Sequence, residues 1–263
     1  MIVRVVSALV LLPLVVGTVW FLPSIFTLIL AVIAAAIAFV EYATIAERLG
    51  ARVPRLASGT VVVATTIAAA GLQQLPLTIV LLTGLILIGA LAVGSGQPGP
   101  AILRDAAAAL FPSFYIGLPL GALVYVHAHG GREALVLLMV AIIVSDSAQY
   151  FCGRAFGRRP LAPAISPKKT VEGAVGGVVF GTAVMAGLGM FVFPEAPLPM
   201  WILAGATISA LGIVGDLFES LLKRSADMKD SGTLIPGHGG MLDRIDSWLF
   251  AGPMFFIFVA YLL

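Results

Sequence analysis

Runs of roughly twenty apolar residues, the length needed to cross a bilayer, recur along the whole chain. Each is bounded by proline, glycine or charge. Only 11% of the 263 residues are charged, against about 25% in a soluble domain. A water-soluble fold of this size would lack polar surface, so the excess apolar side chains must face lipid. The reading is an all-α, polytopic membrane protein of about nine transmembrane helices. Approximate spans are 5–22, 24–46, 57–72, 75–93, 106–127, 134–152, 171–193, 200–222 and 247–263. Met1 and Arg4 before an apolar run resemble a signal peptide, but no small-residue cleavage site follows, so the first helix is expected to be retained. The single cysteine, Cys152, excludes an intrachain disulfide and a cysteine-based zinc site.

Charge placement orients the helices. With nine spans, one side collects Arg4, Arg48, Arg52, Arg55, Arg104, Arg154, Arg158, Arg159, Lys168, Lys169, Lys223, Arg224, Lys229 and Arg244, and the other only Arg132. Basic residues mark cytoplasmic loops. The N-terminus is therefore expected in the cytoplasm, the C-terminus outside, and the protein in the cell (inner or plasma) membrane. Residues 1–93 form an N-terminal helical part and 94–105 a Gly/Pro-rich cytoplasmic linker. Residues 106–263 form a second part with cytoplasmic loops 153–172 and 223–246. No internal repeat of the kind common in transporters is visible.

These two loops hold the chemistry. Asp243 and Asp246 stand three residues apart at a helix start, a spacing that suits a hard divalent cation taking oxygen ligands; helix capping is the bland alternative. Asp216, Ser220, Lys223 and Asp227 fall at i, i+4, i+7 and i+11, one face of a helix. Asp216 and Glu219 near a membrane helix end are functional candidates by default, and so is Asp146. Gly239 and Gly240 in Gly-His-Gly-Gly let a backbone approach a ligand. Lys168 and Lys169 lie in Ser-Pro-Lys-Lys-Thr-Val-Glu-Gly, which reads as a shaped loop. Arg48, Arg52 and Arg55 read as topology signals, Glu41 as snorkelling or pairing at the cytoplasmic side near Arg48, and His127 and His129 as structural or exposed.

Ser220-Leu-Leu-Lys-Arg, then Lys229-Asp-Ser-Gly, then Ile-Pro-Gly-His-Gly-Gly-Met-Leu-Asp-Arg-Ile-Asp246 resembles the signature of the phosphatidate cytidylyltransferase (CDP-diacylglycerol synthase) family. Residues 146–153 and 166–173 resemble that family's other cytoplasmic motifs. The chain departs at Ser147-Ala148-Gln149 and Val171, none of them charged. The resemblance implies the conversion of CTP and phosphatidic acid to CDP-diacylglycerol and pyrophosphate. It implies Asp216, Asp243 and Asp246 as metal ligands, and these acids with Lys223 as the catalytic set. Substrate binding would fall to Lys168, Lys169, Arg224, Lys229, His238, Gly239, Gly240, Arg244 and Asp146. The cofactor implied is Mg2+, with Mn2+ as its alternative and room for a monovalent cation. The partners implied are CTP, phosphatidic acid and membrane lipids, with no nucleic acid; a homodimer is among the assemblies it admits. Two rival readings are a CTP-dependent polyprenol or lipid kinase, which would release CDP, and a transporter, which would need polar residues throughout the membrane depth.

Overall fold

The computed structural model of the chain describes residues 13–72, 74–96, 98–232 and 239–261. Arg4 and His238, both named above, lie outside the described residues. Helix α1 covers residues 13–21. Then come α2 (Ser24–Arg48), α3 (Arg55–Ala69), α4 (Leu77–Gly94), α5 (Ile102–Pro112) and α6 (Leu118–Phe156). A short hairpin, β1 (Pro160–Ala162) with β2 (Ser166–Thr170), precedes α7 (Val171–Val192), α8 (Leu198–Ser225) and α9 (Leu242–Tyr261). Among the described residues, five helical stretches are long and apolar enough to cross a membrane: α2, α4, Ile102–Phe156, α7 and α8. The chain is a multi-pass, all-α membrane protein apart from the hairpin.

The Ile102–Phe156 stretch is interrupted twice, each time for a local reason. Ser113–Gly117 forms a π turn in which Leu118 N–H donates to the Ser113 carbonyl five residues back. Pro119 has no N–H for the carbonyl four residues before it, so the α-helical ladder is already broken beside this turn. At Gly131 the backbone takes φ 82° and ψ 170°, a left-handed geometry suited to glycine. That one residue does the work of the longer connection expected between helices ending near 127 and starting near 134.

Two ends of the bundle differ in chemistry. At one, Thr27 Oγ1 meets His127 Nδ1 at 2.8 Å, His129 stacks on Tyr125, and Arg132 lies 4.9 Å from the centre of the Trp20 ring. At the other, Arg52 N–H donates to Asp105, Arg55 pairs with Glu47, and Arg224 reaches the Ile165 carbonyl.

Packing brings the polar end together. Gly173, Gly177 and Gly181, four residues apart, are the buried face of α7. A Cβ on Gly177 would lie 2.4 Å from Gln149 Cγ on α6, and one on Gly181 2.1 Å from Ser209 Oγ on α8. Small residues at this spacing let membrane helices approach backbone to backbone. One buried cluster contains Phe39, Tyr42 and Ile45 of α2 together with Tyr115, Leu120, Ala226, Leu242 and Leu249. The core is thus continuous across the linker, and α2 packs against the start of α9. A second cluster joins Leu138, Met185, Trp201 and Phe255.

Candidate active site

The loop after α6 is shaped by its own polar groups. Glu172, in the first turn of α7, accepts from the backbone N–H groups of Arg158 (2.9 Å) and Arg159 (3.2 Å). Thr170 caps α7, its Oγ1 accepting from Gly173 N–H at 3.1 Å. The hairpin between these anchors turns Lys169 towards α8, where its ammonium pairs with Asp216. Lys168, one residue earlier on β2, is exposed.

Helix α8 presents Asp216, Glu219, Ser220 and Lys223 on one side. Ser220 Oγ approaches Asp216 Oδ1 at 3.5 Å. Lys223 is buried and bridges two acids: Glu219 at 2.5 Å, one turn earlier, and Asp243 at the start of α9. Glu219 is fully enclosed, and neither of its oxygens has a hydrogen-bond partner among the described residues beyond this ion pair. Removing an ammonium from between two buried carboxylates would strand their charge, whereas ion pairs at a surface contribute little.

Helix α8 ends at Ser225, so Asp227 does not extend its polar face as the spacing had suggested. Asp227 instead adopts φ 54° in a left-handed turn. Its N–H donates to the Arg224 carbonyl, and that of Met228 to the Lys223 carbonyl, a common helix-ending arrangement. Likewise α9 begins at Leu242 rather than near 247, which puts Asp243 and Asp246 within its first turns.

Between these helices the described residues, 226–232 and 239–241, are organised by two carboxylates. Asp243 Oδ2 accepts from Ser231 N–H (2.9 Å), Ser231 Oγ (2.9 Å) and Gly240 N–H (2.8 Å). Glu41 comes from α2. It does not pair near Arg48 as expected: Oε1 accepts from Met241 N–H at 2.9 Å, and Oε2 from Leu242 N–H at 2.8 Å and Ser231 Oγ at 3.0 Å. The glycines answer to these acids. Gly239 has φ 79°, and a Cβ on it would lie 2.6 Å from Asp243 Oδ2. One on Gly240 would lie 2.2 Å from Ser231 Oγ and 2.4 Å from Glu41 Oε2. Sequence reasoning missed Glu41 and Ser231.

Asp146 on α6, Asp216 on α8 and Asp246 on α9 lie within electrostatic reach of one another, with Lys169 as the nearby cation. Asp146 also accepts from Gln149 at 3.0 Å, and Asp246 from the N–H of Ser247 at 2.7 Å. Among the described residues no three acid, histidine or cysteine side chains form a ready-made metal shell. Three carboxylates against one ammonium nevertheless make this a predominantly acidic cluster, of a kind that a divalent cation would suit. Mg2+ commonly takes only one or two carboxylates, completing its shell with water and substrate phosphate. Asp216 and Asp246 fit that role. Asp243 fits it less well, because Lys223 holds one oxygen and Ser231 and Gly240 the other. Arg224, Lys229 and Arg244 are exposed near this end, and Arg224 ties the Ile165 and Met228 carbonyls together.

The sequence pattern of the cytidylyltransferase family matches residues 2–262, nearly the whole chain. The chain belongs to the cytidylyltransferase family. Within it, similarity to individual proteins is confined to shorter stretches. A protein of Escherichia coli (strain K12) named uncharacterized protein YnbB is 46% identical over 134 residues, covering 50% of this chain and 44% of that protein. The phosphatidate cytidylyltransferase of Bacillus subtilis (strain 168) is 47% identical over 132 residues, 49% of this chain and 48% of the relative. That of Helicobacter pylori (strain J99) is 41% identical over 142 residues, 54% and 53%. The chain thus spans about half the length of these relatives.

Proposed function

We propose that the protein is a phosphatidate cytidylyltransferase, making CDP-diacylglycerol and pyrophosphate from CTP and phosphatidic acid. The observation that carries this reading is the convergence of Lys169, Asp216, Lys223, Asp243 and Asp246 from a hairpin and two helices at one polar end of an apolar bundle. A cluster there meets a soluble nucleotide and a bilayer-held lipid together. Two relatives bearing that activity in their names support it.

In the proposed reaction a lipid phosphate oxygen attacks the α-phosphorus of CTP. The new P–O bond forms as the anhydride bond to the β-phosphate breaks, and pyrophosphate leaves with the electron pair. The second pKa of a phosphomonoester is about 6, so the nucleophile is largely ionised at neutral pH and no strong base is needed. Catalysis is then positioning and charge stabilisation. Lys168, Lys169, Lys223, Arg224, Lys229 and Arg244 supply cations for the phosphates, and Gly239 and Gly240 shape the loop beside them. Asp216 and Asp246, with Asp146 beside them, would hold Mg2+, which would neutralise phosphate charge when bound. Asp243 sets Lys223 and the loop. The proposed topology has nine crossings, with the N-terminus and the site on the cytoplasmic side of the cell membrane.

The test is to incubate purified protein with labelled CTP, phosphatidic acid and Mg2+, then analyse the lipids and released phosphates. Labelled CDP-diacylglycerol with pyrophosphate is expected. Release of CDP with a newly phosphorylated lipid would establish the kinase reading instead, and no turnover would reject both.

A further inference from the structure

We infer that Glu41, on α2 and far in sequence from the signature residues, is a positioning residue of this active site: it fixes Ser231 and Gly232 against residues 240–242 at the start of α9, and so the place of Asp243 and Asp246. This inference rests on the proposed site.

A carboxylate in an apolar helix is expensive unless hydrogen-bonded. Glu41 is 7% exposed, with two backbone N–H groups and the Ser231 hydroxyl within hydrogen-bond distance of its two oxygens. Two of these donors, Met241 N–H and Leu242 N–H, lie at the N-terminus of α9, where backbone N–H groups lack partners within the helix and favour negative charge. Glu41 therefore caps α9 from another helix. The third donor, the Ser231 hydroxyl, also lies 2.9 Å from Asp243 Oδ2. It has one proton, so it can donate to one acid at a time and joins Glu41 to Asp243. Asp243 holds Lys223, and Lys223 holds Glu219. A continuous polar chain thus runs from α2 through the loop and α9 to α8.

The same contact accounts for small residues in the loop. A Cβ on Gly232 would lie 2.6 Å from Glu41 Oε1, and one on Gly240 2.4 Å from Oε2. The carboxylate fills the space that side chains there would need. Glutamine cannot replace it fully, because donors approach both oxygens and one position would become an NH2 group facing them.

The experiment uses the full chain in lipid nanodiscs, comparing wild type with Glu41→Gln, Glu41→Ala, Ser231→Ala and the Glu41→Ala/Ser231→Ala pair. Initial rates are measured while CTP and phosphatidic acid are varied, beside amide exchange at Met241 and Leu242 and thermal midpoints. In Glu41→Gln, kcat per folded molecule should fall about 10- to 100-fold, the scale of lost hydrogen bonds to a charged group, with KM for CTP changing much less. Amide exchange at Met241 and Leu242 should speed up. The double variant should be little worse than Glu41→Ala, since both changes break one chain. A lowered thermal midpoint with unchanged kcat per folded molecule would reduce Glu41 to a stabilising contact and overturn the inference. If the wild type does not turn over CTP and phosphatidic acid, the functional reading fails by itself. The exchange arm then decides, and unaltered protection at Met241 and Leu242 in Glu41→Gln overturns the positioning role.

Discussion

Lys223 of α8 pairs with Asp243 of α9 while also holding Glu219 one turn below. One ammonium therefore joins two helices and neutralises a carboxylate that has no other partner among the described residues. A buried acid cannot simply be left behind when its cation goes.

Lys223→Met should accordingly destabilise the protein by about 3–5 kcal/mol, the usual cost of stranding a buried charge. Adding Glu219→Gln should recover part of that loss. Unfolding by denaturant or heat in micelles reads both effects. A single variant as stable as the wild type would show that the buried pair does not bear on stability.

Metal dependence should separate the acids. Chelation should abolish turnover and Mg2+ restore it. Asp216→Asn and Asp246→Asn should each raise the Mg2+ needed for half-maximal rate by roughly tenfold or more, as expected when a ligand or its close support is lost. Asp243→Asn should lower the rate with a smaller change in that requirement. A Mg2+ titration of each variant checks the ordering, and equal shifts in all three would return Asp243 to the metal shell.

Gly240→Ala should inactivate the site without unfolding the bundle. Its Cβ would meet Ser231 and Glu41 inside contact distance, and overpacking of this kind costs about 1–3 kcal/mol. A retained elution volume and a thermal midpoint lowered by only several degrees, with turnover lost, is the expected pattern.

Far from the polar end, Thr27→Val should cost about 1–2 kcal/mol, because buried His127 Nδ1 loses its partner. The rate per folded molecule should stay at the wild-type level. A change in kcat would mean that this end of the bundle communicates with the reaction.

Much of the site could be read from residue order, and the exceptions have physical causes. Asp216 and Lys223 share a helix face because seven residues make two turns, and the mixed charges of the two loops marked where they meet. Lys169 finds Asp216 through a hairpin whose strands have three and five residues, too short for alternation to show. Glu41 lies 190 residues from Ser231, and a lone acid in an apolar run carries no sign of so distant a partner. Asp227 followed the helical spacing on paper, but the chain had already turned out of α8. Gly239 and Gly240 looked like glycines making room for a ligand; the groups nearest their missing side chains are the protein's own acids.

Five aromatic rings, Tyr42, Phe111, Tyr115, Phe218 and Phe250, form a connected cluster with centroids 5.3–6.5 Å apart. Only Tyr42 comes from before the linker, yet it touches Phe111 and Tyr115 and donates to the Ala108 carbonyl at 3.1 Å. A version trimmed to residues 106–263 would uncover this hydrophobic seam and strip α9 of its carboxylate cap. The trimmed chain should therefore aggregate or lose its shape, so the apparent boundary at 94–105 is a poor place to cut when designing a smaller version.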